Sequence, residues 1–139
     1  MEDKNLKKES TQTVPKEEQI NSALKIAEEA VFSMADYIIS IVEDFRKNEV
    51  QEANAKLSEL IEIVNLFVQL ISQVKEQSPN FDKVKDEVAE IEVHLLETVK
   101  EILEVKQNDD DTSLCDLLEY ELADNLERWH KKVIQPLLS

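Results

Sequence analysis

Apolar residues recur along this chain at alternating steps of four and three. Starting at Ile20, they fall at Leu24, Ala27, Val31, Met34, Ile38, Ile41 and Phe45. Such steps keep a row on one side of an α-helix, whereas a half-buried strand alternates by two. The rhythm returns at Ala53, Leu57, Leu60, Val64, Phe67, Ile71 and Val74. A third row holds Phe81, Val84, Val88, Ile91, Leu95, Thr98, Ile102 and Val105, with Leu96, Val99 and Leu103 widening the buried face. A fourth holds Leu114, Leu118, Leu122, Leu126, Trp129 and Val133, flanked by Cys115 and Leu117. Four amphipathic helices are expected.

Their ends are marked by residue chemistry. Pro15 suits the first position of helix 1, where a missing N–H costs nothing. Glu17 and Glu18 complement the positive end of its dipole, Arg46 and Lys47 the negative end, and Asn48 suits a left-handed stop. Helix 2 is expected over Val50–Gln77, with Ser78, Pro79 and Asn80 as the next turn and Asn80 as a cap. Helix 3 follows from Phe81 to Gln107. Ser113 with Asp116 resembles a capping box for helix 4, which Pro136 should end after Gln135. Short connections force neighbouring helices to alternate in direction. The expected fold is all-α, an antiparallel up-down-up-down four-helix bundle. It forms a single domain over residues 15–139, behind a disordered, flexible tail at residues 1–14.

The 139-residue chain has no glycine, three prolines and one cysteine. Dinucleotide fingerprints, P-loops and nucleophile elbows all need glycine and are excluded. The net charge of −15 argues against nucleic acid and anionic membrane surfaces as partners, and for a basic one. No apolar run marks a signal peptide near Met1, and the densest run, Leu66 to Ile71, is too short to span a bilayer. A cytoplasmic location is the expectation.

Catalytic and metal chemistry find little footing. A carboxylate-bridged metal centre in a bundle needs two Glu-x-x-His pairs. Glu127 and His130 supply one, and Glu90 with His94 is only a two-ligand pair. Asp109, Asp110 and Asp111 lack the glycine and alternation of a calcium loop. Cys115 has no histidine near it in sequence and carboxylates on both sides, so a structural thiol is expected. No catalytic residue, cofactor or metal is expected, and the chain reads as a non-enzyme.

Two features point to binding. Helix 1 carries a second apolar row at Phe32, Ala35, Ile39 and Val42, and helix 2 carries one at Ile63, Leu66 and Leu70. Together they suggest a helix 1/helix 2 groove for a partner's amphipathic helix, or a dimer contact. Between Lys106 and Arg128 there is no basic residue, while Asp109, Asp110, Asp111, Asp116 and Glu119 make one end acidic, a candidate dock for a basic surface.

The run Asp116-Leu117-Leu118-Glu119-Tyr120-Glu121-Leu122, followed by Leu126 and Trp129, resembles a signature of small uncharacterised acidic helical proteins of Firmicute bacteria. The resemblance implies a bacterial cytoplasmic protein and supplies no catalytic residues. Size and bundle form are also similar to flagellar export chaperones, by fold analogy alone. The expected function is a non-catalytic, protein-binding bundle, adaptor or chaperone-like, as monomer or homodimer. The alternative is an acidic inhibitor or immunity protein that masks a basic protein partner.

Overall fold

The structure, a computed structural model, describes residues 16–138. The expected tail at residues 1–14 and the Pro15 helix start lie outside them. Among the described residues all regular structure is helical and there is no strand. Helix α1 is Lys16–Arg46, α2 is Val50–Gln77 and α3 is Lys85–Gln107. The fourth helix, α4, is continuous but uneven: α-helical at Asp111–Asp116, π-helical at Leu117–Leu122, α-helical at Ala123–Arg128, π-helical at Trp129–Ile134 and α-helical at Gln135–Leu138.

The ends show how a glycine-free chain turns. After α1, Glu49 N–H donates to Asp44 O (2.8 Å) and Asn48 N–H to Phe45 O (3.0 Å), with Asn48 at φ 62°. After α3, Asp110 N–H donates to Val105 O (3.0 Å) and Asp109 N–H to Lys106 O (3.1 Å), with Asp109 at φ 54°. Both are Schellman closures. Asn and Asp take the left-handed position because their short polar side chains tolerate it best after glycine.

Three expected boundaries shift. Phe81–Lys83 forms a 3₁₀ turn before α3, and Asn80 makes no side-chain cap bond. At α4 the cap is Asp110, whose carboxylate accepts from Ser113 N–H (3.1 Å) and Ser113 Oγ (2.6 Å); the Ser113/Asp116 box does not form. The helix also runs through Pro136 to Leu138 instead of stopping at Gln135. The π turn just before Pro136 changes the bonding register. The proline therefore sits in the first turn of the last α segment, where it is tolerated.

The extended contacts are α1 with α2, α1 with α4, and α3 with α4. All the stripe residues of α2 are buried, as are Leu114, Leu118, Leu122, Leu126, Trp129 and Val133 of α4. Phe45 and Val105 are only half-buried. Leu96 and Leu103 do not widen the core; both are exposed, because α3 has its extended contact with α4 alone. By length and composition α2 could cross a membrane, although its stripe is buried against the other helices.

Candidate functional site

The α1–α2 seam is closed by polar bridges. Lys56 Nζ donates to Ser40 Oγ (2.6 Å) and Asp44 Oδ2 (2.7 Å), and Tyr37 OH donates to Glu59 Oε2 (2.5 Å). The Asp44 carboxylate, itself nearly buried, holds the Lys56 ammonium above its ordinary pKa through that hydrogen bond.

The opposite flank of α1 is open. There it forms a groove with α4 of about 490 Å³. Val31, Ile38, Val42 and Leu126 make the buried floor. Ala35 and Ala123 are small, so the facing rows of the two helices leave a hollow where longer side chains would fill it. Phe32 and Ile39 stand on the α1 lip, 52% and 60% exposed. Glu43, Arg46 and Glu119 line one end of the groove, and Glu127 and His130 the other. Arg46 Nη2 donates to Glu119 Oε1 across the mouth (2.7 Å). His130 Nε2 lies 3.1 Å from Glu28 Oε2, and its ring meets the Phe32 ring edge-on at 5.0 Å between centroids. Lys131 bonds Glu127 (2.5 Å), which lowers the Glu127 carboxyl pKa.

The expected partner residues therefore separate. Phe32, Ala35, Ile39 and Val42 come together, with Val42 in the floor rather than on the surface. Ile63, Leu66 and Leu70 do not line this groove; Leu66 is exposed while Ile63 and Leu70 are half-buried. The groove beside this row lies between α1 and α4, while polar side chains bridge the α1–α2 seam where the helix 1/helix 2 groove was expected. Sequence reading missed Arg46, Ala123 and His130 as lining residues. The alanine opposite an apolar row was the available signal.

The expected acidic dock is largely occupied with structural work. Asp109 supplies the left-handed turn, and Asp110 caps α4. Ser113 bonds hold the Asp110 carboxyl below its ordinary pKa. Glu119 pairs with Arg46, whereas Asp111 and Asp116 border a smaller hollow of about 270 Å³ that also holds Cys115. Burial, then the nearby Glu119, raises the Cys115 thiol pKa, with Arg46 opposing. Glu90 pairs with Arg128 rather than with His94. His94 instead contacts Glu121 (3.0 Å) and the buried Asn125 amide (2.8 Å). Among the described residues no group of three or more His, Cys, Asp or Glu side chains converges as a metal site.

A family model described as Domain of unknown function (DUF8042) matches residues 22–132, a span that includes every groove-lining residue. No curated protein and no solved structure matches the chain.

Proposed function

The chain belongs to the DUF8042 family, a domain of unknown function, and on that footing we propose a non-catalytic, protein-binding role. In this reading the α1–α4 groove holds a segment of another protein, as an adaptor or chaperone would. The observation that carries it is the pair Phe32 and Ile39, exposed beside a hollow whose floor is apolar. Large apolar side chains that rim a concave apolar surface are what a partner's anchors need. The cell compartment expected for this role is the cytoplasm.

The scaffold in this reading is an up-down-up-down bundle, with residues 15–139 as one domain. Cross-helix pairs support alternating directions. Tyr37 meets Glu59 while Asp44, further along α1, meets the earlier Lys56. Arg46 meets Glu119 while Glu28 meets the later His130, and His94 meets Glu121 while Glu87 meets the later Arg128.

A photo-crosslinking residue at position 39 tests the role in the protein's own cells. The expected result is a discrete protein adduct that a residue at position 66 does not give and that Phe32→Asp abolishes. Crosslinking unchanged in Phe32→Asp would defeat the proposal. The alternative, an acidic inhibitor masking a basic partner through Asp109, Asp110, Asp111, Asp116 and Glu119, has weaker support. Asp110 and Glu119 are already engaged within the chain.

A further inference from the structure

We propose that the occupant of the α1–α4 groove is a basic amphipathic helix of about four turns, which sets apolar anchors beside Phe32 and Ile39 and lysines or arginines against Glu29, Asp36 and Glu43. The inference rests on the protein-binding reading of the groove and adds the chemistry of the partner.

The α1 lip carries the argument. Glu29, Phe32, Asp36, Ile39 and Glu43 follow one another at steps of three and four, so they form one row along the helix. All five are exposed; Phe32, Ile39 and Glu43 line the groove, and Glu29 and Asp36 lie outside its lining on the same row. Acid and apolar positions alternate along that row. Among the described residues no lysine, arginine or histidine pairs with Glu29, Asp36 or Glu43. The nearby cations are already matched, Arg46 at the end of α1 by Glu119 and Lys131 of α4 by Glu127. Within the groove lining three carboxylates, Glu43, Glu119 and Glu127, stand against one guanidinium, Arg46, so the charge there is negative.

Shape selects a helix. The lined stretch of α1, Val31 to Arg46, is about 22 Å long at 1.5 Å per residue. Four turns of a partner helix match that length. Phe32 and Ile39 lie two turns apart, so a helix lying along the groove presents anchors at i and i+7 with the same separation. A volume of about 490 Å³ takes a row of side chains, not a whole helix, which fits an occupant lying over the groove. A second copy is the poorer occupant. Two-fold pairing over this face would bring like carboxylates together between chains of net charge −15. At the Arg46 end the ion pair is exposed, 68% at the arginine, and so contributes little; a partner's cation can replace Arg46 at Glu119.

The test is fluorescence anisotropy on the full chain with a labelled 18-residue leucine/lysine amphipathic helix as probe. Two further peptides serve as comparisons, one with glutamate for lysine and one a scrambled leucine/lysine sequence. The lysine helix should bind at least tenfold more tightly than either. The combined change Glu29→Gln, Asp36→Asn, Glu43→Gln should weaken it at least tenfold and reduce its salt dependence. Asp109→Asn, Asp111→Asn and Asp116→Asn together should leave it within about twofold. Equal weakening by both sets of neutralisations would reduce the effect to net charge and overturn the proposal. Equal binding of the lysine and glutamate helices, or of neither, would overturn the basic-helix chemistry, while the crosslink at position 39 would still decide the protein-binding reading. Loss of tight binding in Phe32→Asn with Ile39→Asn is expected. Affinity unchanged there would remove the groove from both.

Discussion

Trp129 and Asn125 show how much single side chains carry. Trp129 is 1% exposed and packs edge-on against Phe67 at 5.2 Å, yet its indole N–H has no partner. Its contribution is therefore packing. Trp129→Ala should cost about 3–5 kcal/mol in denaturant unfolding, whereas Trp129→Phe, which keeps a ring, leaves a smaller cavity and removes the orphan donor, should cost distinctly less. Asn125 is fully buried, and its amide N–H groups serve Ile91 O (2.9 Å) and His94 Nδ1. Asn125→Asp would put an acceptor against that carbonyl. A loss of about 2 kcal/mol at pH 7 is expected, shrinking near pH 4 as the buried acid takes up a proton; a constant loss with pH would contradict this. Asp110 gives the opposite trend. Its carboxyl is held below the ordinary value by Ser113, so its stabilisation is complete above about pH 4 and is lost as pH falls through the lowered pKa. Melting temperatures of wild type and Asp110→Ala should thus differ at pH 7 and converge toward pH 2. The burial of Trp129 was legible in sequence; its unpartnered N–H, the bonds of Asn125 and the cap made by Asp110 were not. Asn125 falls between the apolar rows and looks like a solvated residue, because periodicity records which side a residue is on and not what its amide meets.

Helix by helix, legibility follows regularity. Residues of α1 and α2 step strictly by four and three, and the bounds of α2 were readable to the residue. In α4 the buried row steps 4, 4, 4 from Leu114 through Leu118 and Leu122 to Leu126. Four residues turn an α-helix about 40° past a full circle, so the row would spiral off the core. Two π stretches, at Leu117–Leu122 and Trp129–Ile134, widen the turn and bring it back. That widening also lets the helix continue through Pro136. Pro136 reads as a stop only for a helix of ordinary α turn, and the wider turn before it removes that stop. The π stretches have weaker register than their neighbours. Amides of Ala123 and Gln135, which close π turns onto Leu118 and His130 carbonyls, should exchange with deuterium faster than buried-face amides of α1. Equal protection throughout α4 would speak against uneven bonding.

At the level of the assembled chain, the number and kind of helices were legible and the location of the groove was not. Phe32, Ala35, Ile39 and Val42 were recognisable as a second apolar row, but a row on one helix does not say which neighbour it faces. That depends on Lys56 and Glu59, whose bridges to Ser40, Asp44 and Tyr37 close one flank of α1, and on Ala35 and Ala123, which hollow the other. The acidic end was the converse case. A run of carboxylates reads as a dock until Asp109 is seen to turn the chain and Asp110 to cap a helix. What remains is a surface in which acid and apolar residues alternate beside a hollow, on a chain of net charge −15. The most direct measurement is amide shift mapping of the isotopically labelled chain titrated with the leucine/lysine helix. The account predicts shifts concentrated on residues 29–46 of α1 and 119–130 of α4. Shifts centred on Ile63 to Leu70 of α2, or on Asp109 to Asp116, would contradict it.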